Sequence, residues 1–232
     1  MPGPIEFFIW CACFVLEVVV VVCAIRAKVF QRYLPLNLYM AASAIGDLLR
    51  FRMLFHYGYT SKEYFYFYYY SDALLTVALY LALISLFVHV FKELAAERLV
   101  IFGACFLLIA TSLFSYLVIE QSTGRLLTRF VVELSQNLYF VGLVLTYVLW
   151  GAILKLRETR TQLVQLVLAL GIYFSLFAAN YAIRNLYPPA SSLAISLLQF
   201  LGCFLPAAWA YAFYRLPKDA RLAPSTLAVI PR

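Results

Sequence analysis

Four carboxylates lie in apolar stretches where an ionised group needs a reason to be: Glu17, Asp47, Asp72 and Glu133. Three arginines, Arg50, Arg129 and Arg184, are placed to meet them. Ionisable groups surrounded by apolar sequence are costly, and they face a bundle interior or a water-filled cavity. Their chemistry is that of ion pairing, proton exchange or the capture of a polar ligand.

Spacing organises them further. Ser43, Asp47 and Arg50 step by four and three; Tyr68, Asp72, Thr76 and Tyr80 step by four. Arg129, Glu133 and Asn137 step by four, and Tyr173, Phe177, Asn180 and Arg184 step by four, three and four. Ser192, Ser196, Gln199 and Cys203 repeat that last pattern. Such steps keep side chains on one face of a helix. Tyr68, Asp72, Glu133, Asn137, Asn180, Arg184 and Gln199 are therefore the candidate ligand-binding residues. Glu17, Asp47, Arg50 and Arg129 form a candidate intramembrane ion network. The same pairs could equally serve helix–helix adhesion.

The elements that carry these stripes follow from composition. The 232 residues are 65% hydrophobic and 12% charged, with a mean hydropathy of +0.89. A soluble domain carries about 45–50% apolar and about 25% charged residues. Disorder, a coiled coil and a disulfide scaffold are excluded by the same figures. Apolar runs cover 5–29, 36–58, 64–91, 98–119, 127–154, 161–185 and 190–215, each near the ~20 residues that cross a bilayer as helix. They are too long and too continuously apolar for barrel strands. The expected fold is an all-α, seven-helix transmembrane bundle over 1–215, followed by a short flexible tail at 216–232. Pro206 is expected to kink the seventh span.

Basic residues set the expected orientation. Arg26, Lys28, Arg32, Lys92, Arg98, Lys155, Arg157, Arg160, Arg215, Lys218, Arg221 and Arg232 fall on one side. The remaining six are spread over the other. Positive charge favours the cytoplasm, which puts the N-terminus outside and the C-terminus inside. The first span then reads as an uncleaved signal anchor, since no basic residue precedes it. The net charge of +7 is orientation signal and attraction to anionic lipid rather than nucleic-acid binding. In this frame the candidate ligand residues lie in the outer half, Glu17 and Asp47 lie near the midplane, and the inner half is apolar.

Other chemistries find little support. Cys11, Cys13, Cys23, Cys105 and Cys203 all fall inside spans and read as small packing residues rather than disulfide partners. His56 and His89 sit at opposite ends of their spans, too far apart to share a haem or metal. The seventh span holds no deep lysine for a retinal Schiff base. Neither HExxH nor GxSxG occurs, so no cofactor and no catalytic constellation are expected.

Residues 64–70 are seven consecutive aromatics, followed by Ser71 and Asp72. An interfacial aromatic belt explains those that face lipid. Those turned inward, Tyr68 first, would line an outer mouth above Asp72, where aromatic faces and a carboxylate suit an organic cation. The run Tyr64-Phe65-Tyr66-Phe67-Tyr68-Tyr69-Tyr70-Ser71-Asp72-Ala73-Leu74 resembles the signature of a group of small, uncharacterised bacterial seven-helix membrane proteins. In that signature Trp is common at position 69 and Glu at position 72. The resemblance implies a bacterial inner membrane and brings no activity with it.

Three functions are consistent with these features. A receptor-like or sensory protein would take a small ligand from the outer side and contact a partner through its basic cytoplasmic loops. An accessory subunit would bind other proteins within the membrane. A small-solute transporter fits the size, but no internal repeat or inner exit route is visible.

Overall fold

The computed structural model describes residues 3–92, 97–120, 126–156, 160–187 and 191–217. Among them are seven helices and no strand: α1 (Pro4–Arg26), α2 (Leu34–Tyr57), α3 (Lys62–Phe91), α4 (Glu97–Glu120), α5 (Leu126–Lys155), α6 (Thr161–Leu186) and α7 (Ser191–Arg215). Each coincides with one expected apolar run to within a few residues. Pro206 lies inside α7. The turn prolines Pro188 and Pro189, and the tail from 218 onward, lie outside the described residues.

Five helices are long and apolar enough to cross a bilayer: α1, α3, α4, α5 and α6. α2 carries Asn37, Asp47, Arg50 and Arg52 along its length, which lowers its apolar character. The outward surface is apolar all round the bundle. Phe8, Leu74, Leu99, Phe102 and Ile109 are each more than two-thirds exposed. Water would not tolerate a continuous belt of this kind on a monomer, whereas hydrocarbon does.

Local sequence explains the tight connections. Gly58 takes a left-handed φ of 82° as α2 ends, a conformation that costs glycine little. Ser61 follows as the N-cap of α3, its Oγ accepting from the Tyr64 N–H at 3.1 Å. At the other end, Asn37 Nδ2 donates to the Phe30 and Tyr33 carbonyls at 3.1 and 3.0 Å. That one side chain ties down the α1–α2 turn.

The helices close into a ring ordered α1, α2, α3, α5, α6, α7, with α7 returning to α1. α4 stands outside it, against α5 and more lightly against α3. The half of the bundle around the α3 and α5 C-termini is sealed by Leu83, Leu86, Leu149, Leu163, Leu166 and Leu170, all fully buried. Gly142 lets α6 come close to α5, because a Cβ there would overlap the Phe174 ring.

One sequence expectation fails here. Cys13 and Cys203 are not packing residues but a disulfide, with Cα atoms 4.8 Å apart. Spacing within a helix could not reveal it. Ring closure brings the first helix against the last and joins residues 190 positions apart. Cys11, Cys23 and Cys105 remain free.

Candidate functional site

Arg50 organises the polar end of the ring. Its Nε donates to Ser71 Oγ on α3 at 2.9 Å. Its Nη1 lies 3.4 Å from Asp47 Oδ1, one turn back on α2, and its Nη2 lies 3.9 Å from Asp72 Oδ1. The guanidinium also lies over the Tyr68 ring, 4.8 Å from its centre. One planar cation thus holds two carboxylates, a hydroxyl and an aromatic face, which its fork of donors allows. Nη2 is buried and makes no hydrogen bond, so its tie to Asp72 is electrostatic alone. Asp47 has a second neighbour, Trp10 of α1, whose indole N–H is its hydrogen-bond partner.

The opposite wall comes from α5 and α6. Tyr139 of α5 is hydrogen-bonded to Thr76 of α3. α3 and α5 run in the same direction, so one turn back along each brings Asp72 level with Ser135. Ser135 is 3% exposed, and its Oγ has no partner. Tyr139 also packs on Phe177 at 4.9 Å and on Tyr181 at 5.7 Å. That antiparallel register puts Asn180 and Tyr181 beside Ser135. Asn180 is buried, and Arg184 stands one turn further along, 5.7 Å over the Tyr181 ring. Arg50, Tyr68, Asp72, Ser135, Asn180 and Arg184 therefore share one tier between α2, α3, α5 and α6.

A column of polar groups descends from this tier. Thr76 Oγ1 donates to the Asp72 carbonyl at 2.9 Å. Tyr139 is hydrogen-bonded to Tyr173, and Tyr173 to Tyr39. At the foot, Ser43 Oγ donates to Glu17 Oε1 at 2.6 Å. Below lies the leucine layer. The polar column crosses about half of the bundle and stops.

No protein-family model matches this chain. Comparison with curated proteins and with solved structures gives no match either. The site therefore rests on its own geometry.

Of the candidate ligand residues, the structure brings Tyr68, Asp72, Asn180 and Arg184 to one tier. Arg50 and Asp47, expected as an ion network, join it directly. Glu17 belongs to the same column but meets a serine rather than an arginine. Glu133 and Asn137 do not join the tier. Asn137 Nδ2 donates to Ser115 Oγ of α4 at 2.9 Å, so this stripe faces the peripheral helix. Arg129, on the same stripe, is exposed. The Gln199 side chain lies outside the described residues. Arg52 is exposed on another face of α2, as its spacing suggests.

Ser135, Tyr39, Tyr139 and Tyr181 escape a reading that tracks charged residues. The signal was present in the apolar pattern. Val131, Ser135, Leu138, Tyr139 and Gly142 share the inward face of α5, two residues out of phase with Glu133. A cleft of about 130 Å³ opens between α5 and α6 further along, lined by Thr146, Trp150, Val167, Gly171 and Ser175. Its hydroxyls bond to their own helices, Thr146 to the Gly142 and Leu143 carbonyls and Ser175 to that of Gly171. It is an apolar furrow apart from the tier.

His56 is exposed at the end of α2. His89, near the end of α3, has Nδ1 2.7 Å from the Ser85 carbonyl and its ring 5.4 Å from that of Tyr33. Among the described residues no three His, Cys, Asp or Glu side chains are grouped to hold a metal.

Proposed function

We propose that this chain is a receptor-like or sensory seven-span protein of a bacterial inner membrane. Its N-terminus faces out, and a small polar ligand enters the Arg50–Asp72–Asn180 tier from that side. One observation carries the reading: the polar column is open in chemistry at one end and sealed by leucines at the other. A binding pocket needs such an arrangement, whereas a transporter needs a second polar exit. The buried Arg50 Nη2 and Ser135 Oγ, without hydrogen-bond partners, favour a ligand that brings acceptors and donors. Buried polar groups in folded proteins are as a rule hydrogen-bonded. The basic residues flanking the other end support the orientation, and the aromatic run before Asp72 supports the bacterial source.

The test is a thermal-shift screen of purified protein against polar metabolites, repeated with Asp72→Asn. A ligand that raises the melting temperature of the wild type and not of Asp72→Asn supports the reading. A broad screen with no stabilising compound would sink it. Reporter fusions at both termini check the orientation.

A second reading has one observation in its favour. α4 stands outside the ring with most of its surface uncovered, which suits an accessory subunit that docks on another membrane protein. Stoichiometric co-purification in mild detergent, lost on polar substitution of Phe102 and Ile109, distinguishes it.

A further inference from the structure

Glu17 differs from the other carboxylates of the bundle. It is 7% exposed in the middle of α1. Oε1 accepts from Ser43, and Oε2 is buried without a hydrogen-bond partner. Arg50 pairs with Asp47 and with Asp72, and neither pair reaches Glu17. The groups facing it from α2 are Tyr39, Ser43, Asp47 and Arg50. From α7, Cys203 is joined to Cys13, one turn before Glu17.

A guanidinium that already holds two carboxylates does not balance a third. A buried carboxylate in that position is neutralised rather than kept as an anion. A metal cation would need several converging oxygens, and the described residues group no three acidic, His or Cys side chains for one. A proton needs a single oxygen, and Oε2 supplies it.

Tyr39, Tyr173, Tyr139 and Thr76 form a separate hydroxyl chain, which ends where Thr76 donates to the Asp72 backbone carbonyl.

We propose that Glu17 is a proton-binding site at mid-bundle. The step is proton transfer alone. A hydronium ion gives up a proton, an O–H bond forms at Glu17 Oε2, and water is left. The carboxylate loses its negative charge, and release returns the proton to water. This site is separate from the ligand tier and does not depend on a ligand being bound there.

Dicyclohexylcarbodiimide tests it, since it modifies protonated carboxyl groups in apolar surroundings. The full-length protein, in mild detergent, is treated over a range of pH. Modification is read by peptide mass spectrometry. Glu17 is expected to be labelled, and its labelling to fall about tenfold per pH unit above its midpoint. Glu17→Gln should remove the label and keep the wild-type melting temperature, because a neutral amide replaces a neutral acid. Absence of labelling at acid pH, or protection by sodium ions at constant pH, would each overturn the proposal.

Discussion

The Arg50 guanidinium lies 4.8 Å from the centre of the Tyr68 ring and bonds through Nε to Ser71, one turn along from that tyrosine. Tyr68 thus supplies the face and its own helix supplies the acceptor. The contact joins α2 to α3 at the level where Asp47 and Asp72 converge. Removing the cation leaves two carboxylates uncompensated, which costs about 3–5 kcal/mol for a buried pair. Asp72 is a third exposed, so the lower end of that range is expected for Arg50→Gln. Arg50→Lys should recover only part of it, because a point charge cannot bridge and stack together. Tyr68→Phe should behave as wild type, while Tyr68→Leu should lose about 1 kcal/mol. Melting temperatures in detergent rank the four variants, and a fully restored Arg50→Lys would refute the stacked-fork account.

Asp72 and Glu133 should behave differently. Asp72 faces Arg50, whereas Glu133 lies on the stripe whose Asn137 bonds to α4. With a ligand that stabilises the wild type, Asp72→Asn should abolish the shift. Glu133→Gln and Arg52→Gln should leave it intact. Equal losses in all three would assign the carboxylates a purely structural part.

The Cys13–Cys203 bridge closes the ring by joining the first helix to the last. Cross-links of this reach contribute about 2–4 kcal/mol. Cys13→Ser and Cys203→Ser should each lower the melting temperature to the same value as the reduced wild type. Cys11→Ser, at an exposed free thiol, should change nothing. Intact mass after alkylation, with and without reductant, checks that two thiols are masked.

Gly142 is a packing requirement. A methyl group there meets the Phe174 ring, and overpacking of a well-filled contact costs about 1–3 kcal/mol. Gly142→Ala should destabilise the bundle, and Phe174→Leu in the same chain should return part of the loss. Gly103→Ala and Gly151→Ala, with open space at Cβ, serve as controls in the same thermal assay and should lie close to wild type.

Polar spacing made most of the tier legible in advance. Tyr68, Asp72, Asn180 and Arg184 were recognisable because a polar residue repeated every three or four positions stands out in apolar sequence. Glu133 and Asn137 satisfied the same rule, and yet Asn137 bonds to α4. A stripe says that residues share a face, and it does not say which neighbour the face meets. Ser135 carried no charge and sat among apolar residues, so only its burial and its unpartnered Oγ mark it.

The sequence by itself determined the helices, their lengths and the apolar exterior, because these depend on local runs of residues and on bilayer dimensions. It also determined that charge is concentrated on a few helical faces. Tertiary structure decided the partners: α1 against α7, which made a disulfide of Cys13 and Cys203, and α4 outside the ring, which drew Asn137 away from the centre. It also decided that Arg50 bridges to α3 and that Glu17 meets a serine. The physical reason is that helix order around a bundle depends on the packing of distant faces. Residues far apart in the chain meet only after that order is set.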